Sequence, residues 1–258
     1  MNSRGLAFCV LTAAMALPAP VLAGCDVRSG PNTAALIELY TSEGCSSCPP
    51  ADRQLRQLRE TLAPGAEAVP IALHVSYWDY IGWKDPYAQS GFDQRQSWLG
   101  HANGQRTIYT PEFFVGGAEL RSWRSGLRER VRQLNATPAL ADIHLQAGIA
   151  PDGKLALDAA AKTREEAATL YLALAENGLV SNVTRGENGG ATLQHDHVVR
   201  AWIGPIRFNS GTVRVQREIA LPAAWKRTQL SVIAFVQDAR NGKVLQALAA
   251  QQCTAPNS

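Results

Sequence analysis

Residues 36–50, LIELYTSEGCSSCPP, restrict the fold more than any other part of the chain. An apolar run over residues 34–40 passes through a small polar turn into two cysteines separated by two residues. A Pro-Pro pair then opens a polar segment with leucines at helical spacing, so the pattern reads as buried strand, turn, Cys-x-x-C and helix. Two cysteines three positions apart across a turn can close a small disulfide that is easier to reduce than a structural one. In that chemistry Cys45 is the attacking thiolate and Cys48 the resolving thiol.

The helix that follows carries Leu55, Leu58 and Leu62 on one face and Arg53, Arg56 and Arg59 on a solvated one. A residue before proline is pushed out of the helical region, so the regular helix is expected to start at Pro50 with Asp52 in its first turn. That places Cys45 about a turn upstream of the first free helix N–H groups and weakens the dipole that lowers a nucleophilic cysteine's pKa.

Pro64-Gly65 ends this helix, and residues 69–75 read as a second buried strand. The loop behind it holds Tyr77, Trp78, Tyr80, Trp83 and Tyr87, a density of rings suited to a binding face or to covering the edge of a small core. A helix over residues 86–101 follows, then Thr110-Pro111 at the mouth of a strand over residues 113–115. A proline is tolerated there because the first strand residue gives up no ladder bond. A Gly116-Gly117 turn, a short strand and a helix capped by Ser122 or Ser125 complete the first half.

From residue 138 apolar residues alternate at period two in seven runs, with Asp152-Gly153, Asn177-Gly178 and Asn241-Gly242 between them as hairpin signals. Seven short strands joined by such turns predict an antiparallel β-sandwich. The chain of 258 residues, 46% of them hydrophobic, can fill two cores. The expected organisation is a signal peptide over 1–24, a first domain over 25–135 and a sandwich over 136–258.

Arg4, an apolar run and the small residue Ala23 give residues 1–24 the form of an export signal, which places the protein in the periplasm or outside the cell. Cleavage after Ala23 leaves Cys25, Cys45, Cys48 and Cys253, an even set in an oxidising compartment. Cys25 and Cys253 flank the first and last strands, so a bridge between them would staple the termini. The alternative is a lipobox at residues 22–25, in which Cys25 is acylated and the protein is held at a membrane. A formal charge of +3 gives no reason to expect nucleic acid as a partner.

The order strand, Cys-x-x-C helix, strand, helix, Thr-Pro strand, strand, helix resembles the thioredoxin fold. More closely, ELYTSEGCSSCPPADRQL, HVSYWDYIGWKD, TPEFFVGG and HDHVVRAW resemble a family of exported bacterial proteins, domain of unknown function 1223. The resemblance implies an α/β thioredoxin-like domain, βαβαββα, ahead of the sandwich. It also implies that a cis Pro111 faces Cys45 and that Glu38, near the place of a buried thioredoxin acid, passes protons to Cys48. No tryptophan precedes Cys45, and Ser46-Ser47 stand where ordinary thioredoxins have Gly-Pro.

These features lead to an exported thiol-disulfide oxidoreductase with Cys45, Cys48, Pro111 and Glu38 as catalytic residues. Thr110, Tyr77, Trp78 and Trp83 are the substrate-contact candidates, and Cys25 with Cys253 is the structural bridge. The partners expected are a protein or small thiol or disulfide substrate and a redox partner, with no cofactor and no resident metal. Two other readings stay open: a secreted binding module in which Cys45–Cys48 is a staple, and a Cu(I) metallochaperone. Glu43 reads as a solvated loop residue and His74 as a hydrogen-bonded core histidine. His195 and His197 share a strand face but lack a third metal ligand nearby.

Overall fold

The structure is a computed structural model that describes residues 22–251 and 253. The expected signal segment therefore lies outside the described residues up to position 21, and Leu22 already begins a strand. The elements are β1 (Leu22–Arg28), β2 (Ala35–Thr41), α1 (Pro49–Arg56), α2 (Leu58–Thr61), β3 (Ala68–His74), α3 (Ser90–Ala102), β4 (Glu112–Val115), β5 (Ala118–Glu119) and α4 (Trp123–Asn135). Then come β6 (Ala141–Ile149), β7 (Leu155–Thr163), β8 (Ala168–Glu176), β9 (Leu179–Asn182), β10 (Thr192–His195), β11 (Val198–Arg207), β12 (Thr212–Ile219), β13 (Leu230–Asp238) and β14 (Val244–Gln251).

The expected thioredoxin-like α/β domain is not what this chain forms. The protein is mostly β, 43% strand against 19% helix. A self-contained α/β unit would close its own sheet, whereas here one eight-stranded sheet runs β14-β13-β8-β11-β3-β2-β4-β5 through both halves of the sequence. The junction is β11 on β3, parallel at Val198 opposite Ala72, with the Ala72 N–H donating to the His197 carbonyl at 2.8 Å. In addition, β1 leaves the first half altogether and pairs with β6 in a four-stranded sheet, β1-β6-β7-β12.

The β-sandwich expected of the second half agrees with this arrangement. β6 and β7 bury alternate residues, with Ile143 and Leu145 facing inward beside Leu155, Leu157 and Ala159. Those side chains meet Leu170, Leu172 and Leu174 of β8 and Val232, Ala234 and Val236 of β13 in one core. The opposite face of the same strands, Tyr171 and Ala173 with Ile233 and Phe235, packs against Phe92 and Leu99 of α3. With both faces covered, β8 and β13 are buried at every position, which explains their nearly unbroken apolar sequences.

β2 obeys the same rule at the other end of the sheet. Leu36 and Tyr40 join the α3 side, while Ala35, Ile37 and Leu39 pack on Leu55, Leu58, Leu127 and Val131 of α1, α2 and α4. Two hairpin signals turn paired strands: Asp152-Gly153 between β6 and β7, and Asn241-Gly242 between β13 and β14, with Gly153 and Gly242 at φ 81° and 77°. Asn177-Gly178 also makes a turn, but β8 and β9 do not pair across it, because β9 pairs with β10 in a separate two-stranded sheet. The run expected as one strand over 191–202 breaks at His197, which takes the left-handed conformation at φ 61°.

Candidate functional site

Cys45 lies in the turn after β2, and Cys48 is the residue before α1. The Cys45 N–H donates to the Ser42 carbonyl and the Cys48 N–H to the Cys45 carbonyl, both at 3.2 Å. This consecutive pair of turns brings the two sulfurs together, and they are joined as a disulfide. The helix starts at Pro49, one residue earlier than expected. Neither Pro49 nor Pro50 has an N–H, and the next two amides, Ala51 and Asp52, donate back to the Cys48 carbonyl at 2.8 and 3.1 Å. The first turn thus spends its donors on the backbone rather than on sulfur.

Both cysteines are 0% exposed, although Ser46 and Ser47 between them are exposed. Ser47 Oγ stands 3.3 Å from Cys45 Sγ and donates to the Thr110 carbonyl at 3.5 Å, and the Thr110–Pro111 peptide is cis. Trp78 Nε1 donates to Thr110 Oγ1 at 2.8 Å, and Trp78 also packs on Gly44, where an added Cβ would lie 3.1 Å from Trp78 Cβ. The fold therefore gathers Cys45, Cys48, Thr110 and Trp78 in one place, with Pro111 next in the chain to Thr110.

The remaining candidates are distributed differently. Trp83 Nε1 donates to Glu43 Oε2 at 2.8 Å behind the turn, and Tyr77 donates to Gln96 Oε1 at 3.1 Å. Glu38 accepts from Arg95 through both carboxylate oxygens, at 2.7 and 3.0 Å, on the α3 side of the sheet. Its strand face carries Leu36 and Tyr40, whereas α1 with Cys48 packs on the opposite one. Cys25 and Cys253 are joined in the second disulfide, with Cα atoms 5.0 Å apart.

The site also contains residues that the sequence did not point to. Glu43 is fully buried: its Oε1 is 3.0 Å from His195 Nε2, and its N–H donates to Asp85 Oδ2 at 2.9 Å. The same Asp85 oxygen lies 2.7 Å from His74 Nδ1, and the two histidine rings meet edge to face at 5.0 Å. Asp52, one turn beyond Cys48, approaches His195 Nδ1 to 4.0 Å. Burial works against charge on His74, but the Asp85 carboxylate outweighs it and raises the histidine's pKa. Burial raises the Asp52 carboxyl, opposed only in part by His195 and His74.

One of these residues had a signal in the sequence. Asp52 stands four positions after Cys48, a spacing that puts both on one helix face. Glu43 and Asp85 had none, since a polar residue between apolar runs looks solvated until the rest of the chain covers it. His195 and His197 do not share a strand face as expected, because the left-handed His197 lies between β10 and β11. Among the described residues, no group of three or more His, Cys, Asp or Glu is arranged to hold a metal ion.

Asp52→Asn gives a direct reading of this burial. A carboxyl whose pKa is raised by folding carries a penalty that is complete above its folded pKa and absent below its unfolded one, about 3.9. The variant is therefore expected to melt higher than the parent at pH 7, by about 2–4 °C for each kcal/mol relieved, and to lose that gain near pH 3.5. Equal melting temperatures at pH 7 would show that Asp52 is not penalised in the fold.

The molecule is thus a mostly β protein stapled at its ends, with a covered Cys-x-x-C disulfide set before a buried group of acids and histidines. Residues 36–237 match the family described as "Protein of unknown function (DUF1223)", and the chain belongs to it. Two solved structures have a similar fold. Protein AGR_C_4864 from Agrobacterium tumefaciens is 20% identical, with a TM-score of 0.59 over 85% of this chain and 95% of that one. HBP35 of Porphyromonas gingivalis is 17% identical, with a TM-score of 0.66 over 86% of this chain and 76% of that one. No curated protein matches the sequence.

Proposed function

We propose that this protein is an exported thiol-disulfide exchange protein, periplasmic or secreted, whose working pair is Cys45–Cys48. The observation that carries the reading is a disulfide spanning three positions at the head of a helix, with a buried carboxyl, Asp52, one turn further on. A bridge that only stapled the turn would need no ionisable group there, and a buried acid whose neighbours offset its burial only in part is costly to keep. Two disulfides in one chain are also at home in an oxidising compartment.

Starting from the oxidised pair, a thiolate of a substrate dithiol attacks Cys45 Sγ and the Cys45–Cys48 bond breaks. Cys48 leaves as a thiolate and takes up a proton, for which Asp52 is the nearest buried acid on its helix. The second substrate thiolate then attacks the substrate sulfur of the mixed disulfide and releases Cys45 as a thiolate, which is protonated in turn. The substrate loses two electrons and two protons and the pair gains both. The reverse sequence reduces a substrate disulfide, so direction depends on the potential of the pair.

One observation favours a second reading, that of a binding module with a structural staple: the complete burial of both cysteines. Equilibration with glutathione separates the two. An exchange pair is expected between about −270 and −120 mV and a structural disulfide below about −300 mV. In an insulin-reduction assay the parent is expected to turn over and Cys45→Ser to be inactive. A potential in the structural range together with no turnover would overturn the exchange reading.

A further inference from the structure

We propose that residues 183–191 are a displaceable cover over the Cys45–Cys48 disulfide, and that the segment which takes their place is an extended polypeptide carrying the reacting sulfur. This rests on the exchange reading for its chemistry, although the cover itself can be tested without turnover. Ser46 and Ser47 between the cysteines are open to solvent, although Ser47 Oγ stands 3.3 Å from Cys45 Sγ. The neighbour that bonds to the backbone of this turn is the β9–β10 connection.

Asn188 Nδ2 donates to the Glu43 carbonyl at 2.8 Å and to the Cys45 carbonyl at 3.0 Å. The Ser46 N–H donates to Glu187 Oε2 at 2.9 Å. Gly186, at φ 72°, lies close enough to Ile81 and Trp83 that an added Cβ would sit 3.3 Å from each. Two adjacent side chains of one loop thus occupy backbone donors and acceptors on both sides of Cys45.

The loop is built to move by itself. It lies outside both large sheets and holds its shape through its own backbone bonds: Val183 to Ala191, Gly190 to Val183, Gly189 to Gly186 and Ala191 to Asn188. Its base stays anchored, with Leu179 and Leu193 buried and His195 on Glu43. Gly186, Gly189 and Gly190 supply the backbone freedom between base and tip. Glu187 is exposed, so water competes for its bond to Ser46 and the latch is weak on that side.

The groups left free when the loop lifts identify the occupant. The Glu43 carbonyl loses its donor, the Cys45 carbonyl keeps only the Cys48 N–H, and the Ser46 N–H loses its acceptor, all along the Cys45 turn. A stretch of extended peptide offers N–H and C=O groups in alternation and satisfies them in the way a strand adds to an edge. A small disulfide offers fewer such groups and covers less of the exposed surface.

The full chain carrying Glu187→Ala with Asn188→Ala is the test. A phosphine reductant attacks one sulfur, water hydrolyses the adduct, and the products are two thiols and the phosphine oxide, so the rate reports access to sulfur alone. Quenching with a maleimide and mass mapping is expected to show Cys45–Cys48 reduced at least tenfold faster in the variant, with Cys25–Cys253 unchanged. An unchanged Cys45–Cys48 rate, or equal acceleration of both disulfides, would overturn the cover.

Hydrogen exchange of the parent guards against a variant that folds poorly: peptides spanning 42–48 and 183–191 are expected to open at one common rate, and unrelated rates would reject the cover. For the occupant, the ratio of rates with an unfolded peptide dithiol and with glutathione is expected to fall at least tenfold in the variant. An unchanged ratio would remove the polypeptide from the proposal. Absence of all turnover would count against the exchange reading and leave the phosphine and hydrogen-exchange results to decide the cover.

Discussion

Arg95→Met is expected to destabilise the protein by about 3–5 kcal/mol, the usual loss when one partner of a buried ion pair is removed. Glu38 is 0% exposed, and Arg95 holds both of its carboxylate oxygens while a guanidinium nitrogen also reaches Gln237 Oε1 at 3.1 Å. The guanidinium lies 4.8 Å from the Trp202 ring centroid, 4.9 Å from that of Tyr171 and 5.2 Å from that of Phe235. Methionine fills much of the same apolar channel but leaves Glu38 with the Tyr40 hydroxyl alone. Chemical denaturation measures the loss, and Glu38→Gln with Arg95→Met is expected to recover about half of it, because no buried charge is then left unpaired. A single-variant loss below about 1 kcal/mol would mean that water reaches Glu38 in the fold.

Replacing Cys25 and Cys253 together by serine is expected to cost about 4–5 kcal/mol in the chain-entropy account of disulfides. The two cysteines are 228 residues apart in sequence, so their bond closes nearly the whole chain into one loop. For a chain of this size the loss corresponds to a fall in melting temperature of about 8–20 °C. The structure adds a reason for the effect to be felt throughout. β1, which carries Cys25, is an edge strand of the four-stranded sheet and among the described residues pairs only with β6. Without the bridge, the first strand depends on that single ladder. A drop of under 3 °C in calorimetry would show that β1 is held by its ladder alone.

How legible the fold was depended on what each segment's surroundings required of it. β6 and β7 face water on one side and the core on the other, so their period-two alternation was visible and the sandwich could be anticipated from it. β8 and β13 are covered on both faces, and their sequences record burial without recording which strands lie beside them. Nothing local in HDHVVRAW says that Val198 pairs with Ala72, more than a hundred positions earlier. That one contact turns two expected domains' worth of strands into a continuous sheet, and it is why the thioredoxin-like expectation failed.

The site divides in the same way. The cysteine spacing, and the even number expected if Cys9 belongs to a cleaved signal segment, pointed to both disulfides. Glu38 was assigned to the wrong neighbourhood because its distance along the chain from Cys45 says nothing about which face of β2 it occupies. The acids and histidines behind the disulfide come from five separate segments, and only their convergence makes a group of them.

Sequence by itself determined what is local or countable: the strand-turn-helix around Cys45 and Cys48, the alternating strands of the second half, and an even cysteine count that allows two disulfides. Tertiary structure alone decided that one sheet runs through both halves of the sequence, that Glu38 faces Arg95 rather than sulfur, and that Glu187 and Asn188 bond to the backbone around Cys45. The physical reason is that backbone preference and hydrophobic period act over a few residues. Burial and charge pairing are settled between segments that meet only after the chain has folded.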